Sequence, residues 1–344
     1  MPPADPKPLR PGLSLIDASR AADHRRHTTL DETDVHLLEL LCDDGRLNNR
    51  ALAREVGLTE ATVALRLQDL LKRRILHIGA SLNWVAAGYH CELHVVVSVG
   101  GRAVKEVGRT IAALDGVISV METFGQFDLV LRVILPGLSD VTEFQTRLFA
   151  VPGIYAVEVI VVNRNRKYTT RLATRSAVDH PAAPPRFPDP VISLDGLDHA
   201  VVSELLQDGR QSNREIARRL DVNEATVRTR IRKMQEANLL RIRGQVDADK
   251  AGLTAAWAFV YVAAAGGASE EVCATIEDLP EVITLAHTTG RHGIVFFANT
   301  PTRGHLVQLI TQTIRNLPGV RFTETHEVIG TVDLAFHWVP FVDD

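Results

Sequence analysis

The chain carries thirteen histidines and three cysteines, the residue types most readily recruited to metal binding or catalysis. Cys42, Cys91 and Cys273 are odd in number, lie far apart and form no C-x-x-C pair, so neither a disulfide framework nor a thiolate zinc site is indicated. His90 and His94 sit at i and i+4 of an extended pattern. Strand rise separates such a pair by about 13 Å, too far for two ligands of one metal at about 2 Å each. His287, His292 and His326 fall on neighbouring strand patterns and stay open as a cluster. No Ser/His/Asp arrangement, P-loop or G-x-G-x-x-G cradle is recognisable. No catalytic residue, metal or cofactor is expected.

A second chemistry, recognition of phosphates and base edges, needs cations and short polar side chains on one exposed helix face. Arg228, Thr229, Arg232 and Lys233 supply it, beside Asn223, Thr226 and a small Ala225 that permits close approach. These residues belong to a repeat. Sliding the chain by 164 residues aligns Leu30-Asp31-x-x-Asp34 with Leu194-Asp195-x-x-Asp198, Asp44-Gly45-Arg46 with Asp208-Gly209-Arg210, and Glu60-Ala61-Thr62-Val63 with Glu224-Ala225-Thr226-Val227. Arg66 falls on Arg230. The match loosens downstream, where Gly125 meets Gly290 after one inserted residue.

Each copy opens with three helical patterns. Leu30-Asp31 starts a helix with apolar Val35, Leu38 and Leu41, which Asp43-Asp44-Gly45 stops; Asn49 begins a short second helix; Gly57 turns the chain; and Thr59 caps a third helix with Val63, Leu67 and Leu70 inward. Helix, tight turn, helix at this spacing is the helix-turn-helix pattern, whose second helix enters the DNA major groove. The outward positions of that third helix are Ala61, Ala64, Leu65 and Gln68, none of which seeks phosphate. Residues 30–79 carry a net charge of −2 and residues 194–243 of +2, so the second copy is the stronger DNA candidate. Thr59, Thr62, Arg66 and Gln68 are the counterparts in the first; Arg66 and Arg230 lie nearer the core edge, where each could equally brace an acid of its first helix.

Beyond each three-helix unit the period changes to two. His90 to Val99 and Ala255 to Ala263 alternate as strands, Ala103 to Leu114 and Ser269 to Leu279 are helical, and two strands follow around Gly125-Gln126. With Val141 to Phe149 as a helix and Tyr155 to Val162 as a last strand, the order is the β-α-β-β-α-β of a ferredoxin-like unit. The expected class is therefore α+β, two winged-helix-like helix-turn-helix domains alternating with two ferredoxin-like βαββαβ domains. The boundaries are a tail over 1–29, helix-turn-helix domains over 30–82 and 194–246, ferredoxin-like domains over 85–162 and 250–339, and a linker over 163–193. The linker holds five prolines from Pro181 to Pro190, which makes it extended and semi-rigid. It also holds Arg164, Arg166, Lys167, Arg171 and Arg175, readable as a DNA-backbone arm or as a solvated run.

Composition agrees with this plan. Of 344 residues, 45% are hydrophobic and 23% charged, which excludes wholesale disorder, collagen-like repeats and disulfide scaffolds. The N-terminus offers no continuous apolar core for a signal peptide, and a cytoplasmic location is expected. The uncharged run from Ala251 to Ser269 approaches a membrane span in length, but Trp257, Phe259 and Tyr261 alternate within it as in a strand, so no membrane partner is expected. Residues 244–344 carry a net charge of −7 and should face away from DNA. An apolar sheet face is expected on Leu93, Val95, Val97 and Val99 in one copy and on Trp257, Phe259, Tyr261 and Ala263 in the other. Two such faces on one chain should pair about a pseudo-twofold axis.

A helix-turn-helix followed by β-α-β-β-α-β resembles the Lrp/AsnC (leucine-responsive, feast/famine) family of transcription factors over nearly all of residues 30–339. The resemblance rests most specifically on Leu30-Asp31-x-x-Asp34, Asp44-Gly45-Arg46, Ala53 through Arg66, and Gly125-Gln126-Phe127-Asp128, which is similar to the family's Gly-x-x-Asp turn. It implies a sequence-specific regulator of double-stranded DNA, a small-molecule effector, commonly an amino acid, bound near Gly125, Gln126, Phe127 and Asp128, and assembly into homo-oligomers. The second copy reads Gly290-Arg291-His292-Gly293 and lacks the acid, which assigns the effector to the first. Arg74 and Asn238 stand where the family usually has Gly before the exit from helix to strand. The alternative is a tetrapyrrole enzyme on the same fold, since the siroheme decarboxylases resemble this family and occur as tandem fusions.

Overall fold

The computed structural model describes residues 30–168, 194–247, 250–251, 256–334 and 337–341. The 1–29 tail and the prolines, Arg171 and Arg175 of the expected linker lie outside them.

In the first copy α1 (Glu32–Asp43), α2 (Asn49–Val56) and α3 (Glu60–Lys72) each start where a side chain satisfies an orphan N–H group. Asp31 makes a capping box with Asp34, Asn48 accepts from Ala51 N–H, and Thr59 accepts from Thr62 N–H. The second copy repeats this in α6 (Gly196–Gln207), α7 (Asn213–Leu220) and α8 (Glu224–Glu236), capped by Asp195, Ser212 and Asn223. The turn residue Gly57 has φ 70°, and its counterpart Asp221 has φ 52°. Arg74 and Asn238 have φ 56° and 54°, the left-handed backbone that costs an L residue about 1–2 kcal/mol and glycine nothing.

The two three-helix units are not independent. Strands β1 (Leu76–Asn83) and β6 (Leu240–Val246) pair antiparallel from Leu76↔Val246 to Leu82↔Leu240. The helices of both copies pack into one core, in which Leu37, Leu41 and Val63 join Val201, Leu205 and Val227. A short C-terminal strand, β11 (Trp338–Val339), adds parallel to β1, so the end of the second ferredoxin-like domain returns to this sheet.

The first ferredoxin-like unit comprises β2 (Cys91–Val99), α4 (Val104–Ala112), β3 (Val117–Phe124), β4 (Leu129–Leu135), α5 (Val141–Phe149) and β5 (Ile154–Tyr168). The second comprises β7 (Ala256–Ala264), α9 (Ser269–Glu277), β8 (Val282–Thr288), β9 (Ile294–Thr300), α10 (Arg303–Gln308) and β10 (Val320–Leu334). Their eight strands close into one barrel, ordered β10-β3-β4-β2-β5-β8-β9-β7. Closure comes from two strands of fifteen residues each. β5 pairs first with β2 and then, from Val162↔Thr288 to Tyr168↔Thr284, with β8. β10 pairs with β7 and then, from Glu327↔Phe124, with β3. The sheets do pair within the chain, as the sequence implied. Among the described residues no helix is long and apolar enough to cross a membrane.

Two expectations need correction. Residues 163–168, read as the start of a linker, continue β5, because their polar side chains find partners across the seam. Arg166 bonds Glu277 at 2.7 Å and also pairs with Glu270, and Lys167 Nζ donates to the carbonyls of Glu277 and Leu279, so neither is free to serve as a DNA arm. The face assigned to the first sheet also has the wrong parity. Leu93, Val95, Val97 and Val99 pack against Val107, Ile111, Phe144 and Leu148 of their own helices. The face turned to the other copy carries Glu92, His94, Val96 and Ser98, since side chains alternate along a strand. The second copy follows the expected parity: Phe259 and Tyr261 join Val96, Met121 and Val130 in the barrel lumen.

Candidate nucleic-acid interface and effector turn

On α8 the buried stripe is Val227, Ile231 and Met234, which forces Ala225, Arg228, Thr229, Arg232 and Lys233 outward, all exposed. Asn223 is spent on the cap, accepting from Ala225 N–H at 2.8 Å, and Thr226 is half-buried. Arg228 makes no ion pair among the described residues; Arg232 meets only Glu236, at 3.7 Å, with both side chains about two-thirds exposed or more. Such a pair is worth little and yields readily to phosphate. On α3 the structure places Thr59 and Thr62 in the cap, their hydroxyls 2.8 Å apart, with Gln68 exposed. Arg66 is held by Asp31 and Asp34, both at 2.8 Å, and its twin Arg230 by Asp195 at 2.6 Å and Asp198 at 3.0 Å. Bonds from Asp34 and Asp31 push the Arg66 pKa up, and bonds from Asp195 do the same for Arg230. Of the two readings of this arginine, the geometry is that of a brace across the first and third helices.

Sequence reasoning missed the residues that hold the two DNA-binding units together. Arg46 crosses to the other copy, donating to the carbonyls of Gly209 (3.0 Å) and Gln211 (3.4 Å), while Arg210 crosses back to the Leu47 carbonyl (2.8 Å) and Asn49 Oδ1 (3.3 Å). Between them the glycines let the backbones touch. Gly45 N–H donates to the Ile242 carbonyl and Gly209 N–H to that of Ile78. A Cβ on Gly209 would stand 3.0 Å from Gly79 Cα, and one on Gly45 3.1 Å from the Arg243 backbone. Retention of Asp-Gly-Arg in both copies is the signal, since a helix stop alone needs no arginine.

The turn between β3 and β4 brings Gly125, Gln126, Phe127 and Asp128 together. Gly125 has φ 155° and lies against β10, where an added Cβ would be 3.3 Å from the Thr325 carbonyl and His326 Nδ1. Gln126 is exposed, and Phe127 is buried with its ring 5.6 Å from that of His326. Asp128 accepts from Val99 N–H at 2.7 Å, so one carboxylate oxygen ties the turn to the end of β2.

The lumen behind this turn is unusually polar. His94, Tyr261, His292 and His326 are all buried, with ring centroids 5.5–6.3 Å from that of Tyr261. His94 Nδ1, the Tyr261 hydroxyl and His326 Nδ1 have no hydrogen-bond partner among the described residues. Burial, reinforced by the nearby Arg132 guanidinium and opposed by Glu92, pushes the His94 pKa down to about 4. Burial also lowers His292 and raises Tyr261 well above the usual phenol range. The expected histidine cluster is split: His326 lies 2.9 Å and His292 3.4 Å from Glu324, whereas His287 turns to Glu270 at 3.1 Å. Among the described residues no three metal-type side chains converge. At the lumen's edge Arg132 bonds Glu92 at 2.6 Å and lies 5.2 Å from the rings of both Trp84 and Tyr168, linking the barrel to the helix-turn-helix core.

These features define a duplicated DNA-binding and ligand-binding architecture on one chain. An AsnC-type helix-turn-helix model matches residues 30–71, a winged helix-turn-helix DNA-binding model 194–241, and the Lrp/AsnC ligand-binding domain model 93–172 and 257–334. The chain belongs to the Lrp/AsnC family of transcriptional regulators. An uncharacterised HTH-type regulator of Pyrococcus furiosus is 30% identical over 141 residues, covering 40% of this chain and 95% of its own. The HTH-type transcriptional regulator FL11 of Pyrococcus horikoshii is 26% identical over 144 residues, 42% of this chain and 95% of its own. Each thus matches about one copy. A crystal structure of the siroheme decarboxylase NirDL with an iron-uroporphyrin III analogue has a TM-score of 0.61 at 18% identity and covers 89% of this chain and 95% of its own; the likeness is one of fold.

Proposed function

We propose that this regulator binds double-stranded DNA chiefly through α8 and responds to a small metabolite, an amino acid or a relative of one, through the first ferredoxin-like domain. The observation that supports it is the contrast between the two third helices on one scaffold. Where α8 presents Arg228, Thr229, Arg232 and Lys233, α3 presents Ala64, Leu65, Gln68 and Asp69. Arginines can neutralise phosphate and read guanine edges, and Thr229 can meet a base or a thymine methyl. Replacing Arg228 and Arg232 by Ala should weaken binding to the operator and flatten its salt dependence by about two counterions. A greater loss from Leu65→Ala with Gln68→Ala would overturn the assignment to α8.

The effector half rests on the exposed Gln126 beside Asp128, whose carboxylate can meet a ligand ammonium. Asp128→Ala should abolish the thermal shift produced by the responding metabolite while ligand-free DNA binding persists. Loss of both together would reduce Asp128 to the tie it makes with Val99. A tetrapyrrole-processing reading calls for histidines at an open pocket, whereas His94, His292 and His326 are sealed among aromatic rings. Titration with an iron tetrapyrrole, followed by visible absorption, separates the two.

A further inference from the structure

The first recognition helix keeps the form of its twin and has lost the chemistry. Leu65 is 68% and Leu71 41% exposed on α3, and a groove of about 590 Å³ runs beside the helix, lined by Ala64, Leu67, Gln68 and Leu71 with Lys72 and Arg210 at its rim. Residues 61, 64, 68 and 71, exposed but for half-buried Ala64, follow the 3-4-3 spacing of a helix-pairing seam. Small alanines at 61 and 64 let a second helix come close.

We infer that this face of α3 is the contact between two copies of the chain, joined as an antiparallel, isologous helix pair. A twofold axis midway between Ala64 and Gln68 sets Ala64 of one copy against Gln68 of the other and Ala61 against Leu71. It brings like flank to like flank. Glu60 lies on the groove side at the N-terminal end of α3, so the axis carries it toward the other copy's groove rim, where Arg210 sits. Neither residue has an ion pair among the described residues: half-buried Arg210 donates to the Leu47 carbonyl and Asn49 Oδ1, both uncharged, and keeps further N–H groups for an acid. The pairing supplies each with its opposite charge twice over by symmetry. It also has a use. One chain carries a single basic recognition helix, and a twofold-symmetric DNA site needs two; that consequence rests on α8 being the DNA reader, the pairing itself does not.

Sedimentation velocity of the full chain without DNA should show a reversible monomer–dimer step. Ala64→Lys, which sets a cation opposite Gln68 and about one helical turn from its own image at a half-buried seam position, should weaken that step at least tenfold while far-UV circular dichroism is unchanged. The double variant Ala64→Cys/Gln68→Cys should form a reductant-sensitive covalent dimer on mild oxidation, because Cys42, Cys91 and Cys273 are buried; Thr229→Cys on α8 should not. A chain that stays monomeric up to about 100 µM overturns the inference, as does dimerisation indifferent to Ala64→Lys with no cross-link. Ala64→Lys that tightens DNA binding and leaves association untouched would make α3 a DNA-facing helix instead. If pairing holds and Arg228→Ala leaves DNA binding intact, only the α8 assignment fails.

Discussion

Acidification tests the lumen most directly through His94, because the second copy has already made the substitution: Phe259 stands at the equivalent place on β7. The His94 ring packs edge-on to Phe259 at 5.6 Å and its pKa falls from 6.5 to about 4, burial being the main cause. A histidine with a lowered folded pKa binds fewer protons folded than unfolded. Its contribution to stability is whole above about pH 6.5 and is lost as the pH falls through the window to about 4. Linkage puts the loss at about 2 kcal/mol by pH 5 and about 3 kcal/mol by pH 4. His94→Phe cannot take up that proton. Urea unfolding of wild type and variant across this window should therefore show the variant's pH slope shallower by about 3 kcal/mol end to end, whatever offset the larger ring introduces at pH 7. His337, whose burial lowers its pKa to about 4, and His292 titrate in the same direction in both proteins and cancel in the difference. Parallel curves would refute the claim that His94 is held neutral in the barrel.

Tyr261→Phe removes a hydroxyl that is buried without a partner among the described residues, so thermal denaturation should show the variant unchanged or more stable by about 1 kcal/mol; a loss above that would mean the hydroxyl is bonded. Arg46→Ala strips three cross-copy bonds, to Gly209, Gln211 and Asn213. Net hydrogen-bond worth of about 1 kcal/mol each predicts a destabilisation of about 2–3 kcal/mol and faster amide exchange on both sides of the seam, whereas exchange confined to the first copy would show that the two units open separately.

The helix-turn-helix units were legible because their signals are local: caps at Asp31, Thr59 and Asn223, a left-handed turn at Gly57, and apolar spacing set by the helical period. The β-α-β-β-α-β succession of elements along the chain was legible for the same reason. What escaped were features decided by distant partners. Asn163 to Tyr168 carries the polar composition of a linker, and only Glu277 and the opposite strand make it a strand. The parity of β2 misled because its alternation is real but both faces are buried: Leu93, Val95, Val97 and Val99 meet their own helices while Glu92, His94, Val96 and Ser98 turn to the other copy, so polarity no longer tells a solvent face from a packed one. Arg46 and Arg210 were visible as a repeated triplet, but a guanidinium that bonds carbonyls across a twofold leaves no mark on its own neighbourhood. The Gly125-x-x-Asp128 turn was legible as a motif, while the strand tie made by Asp128 follows from where Val99 ends.

The exchange of β5 and β10 across the barrel sets the order of events during synthesis. Val328 pairs with Thr123 and Tyr168 with Thr284, contacts separated by more than a hundred residues, so the nascent first half emerges with β3 and the distal end of β5 as open sheet edges. Such edges invite pairing with a neighbouring chain, and non-local strand pairs close slowly. Until the last strand leaves the ribosome, the first half's readiest substitute for its missing mate is another first half on the same message. Ribosomes spaced closely along one transcript would thus favour strand-exchanged dimers, and a chaperone shielding β3 would favour the closed monomeric barrel.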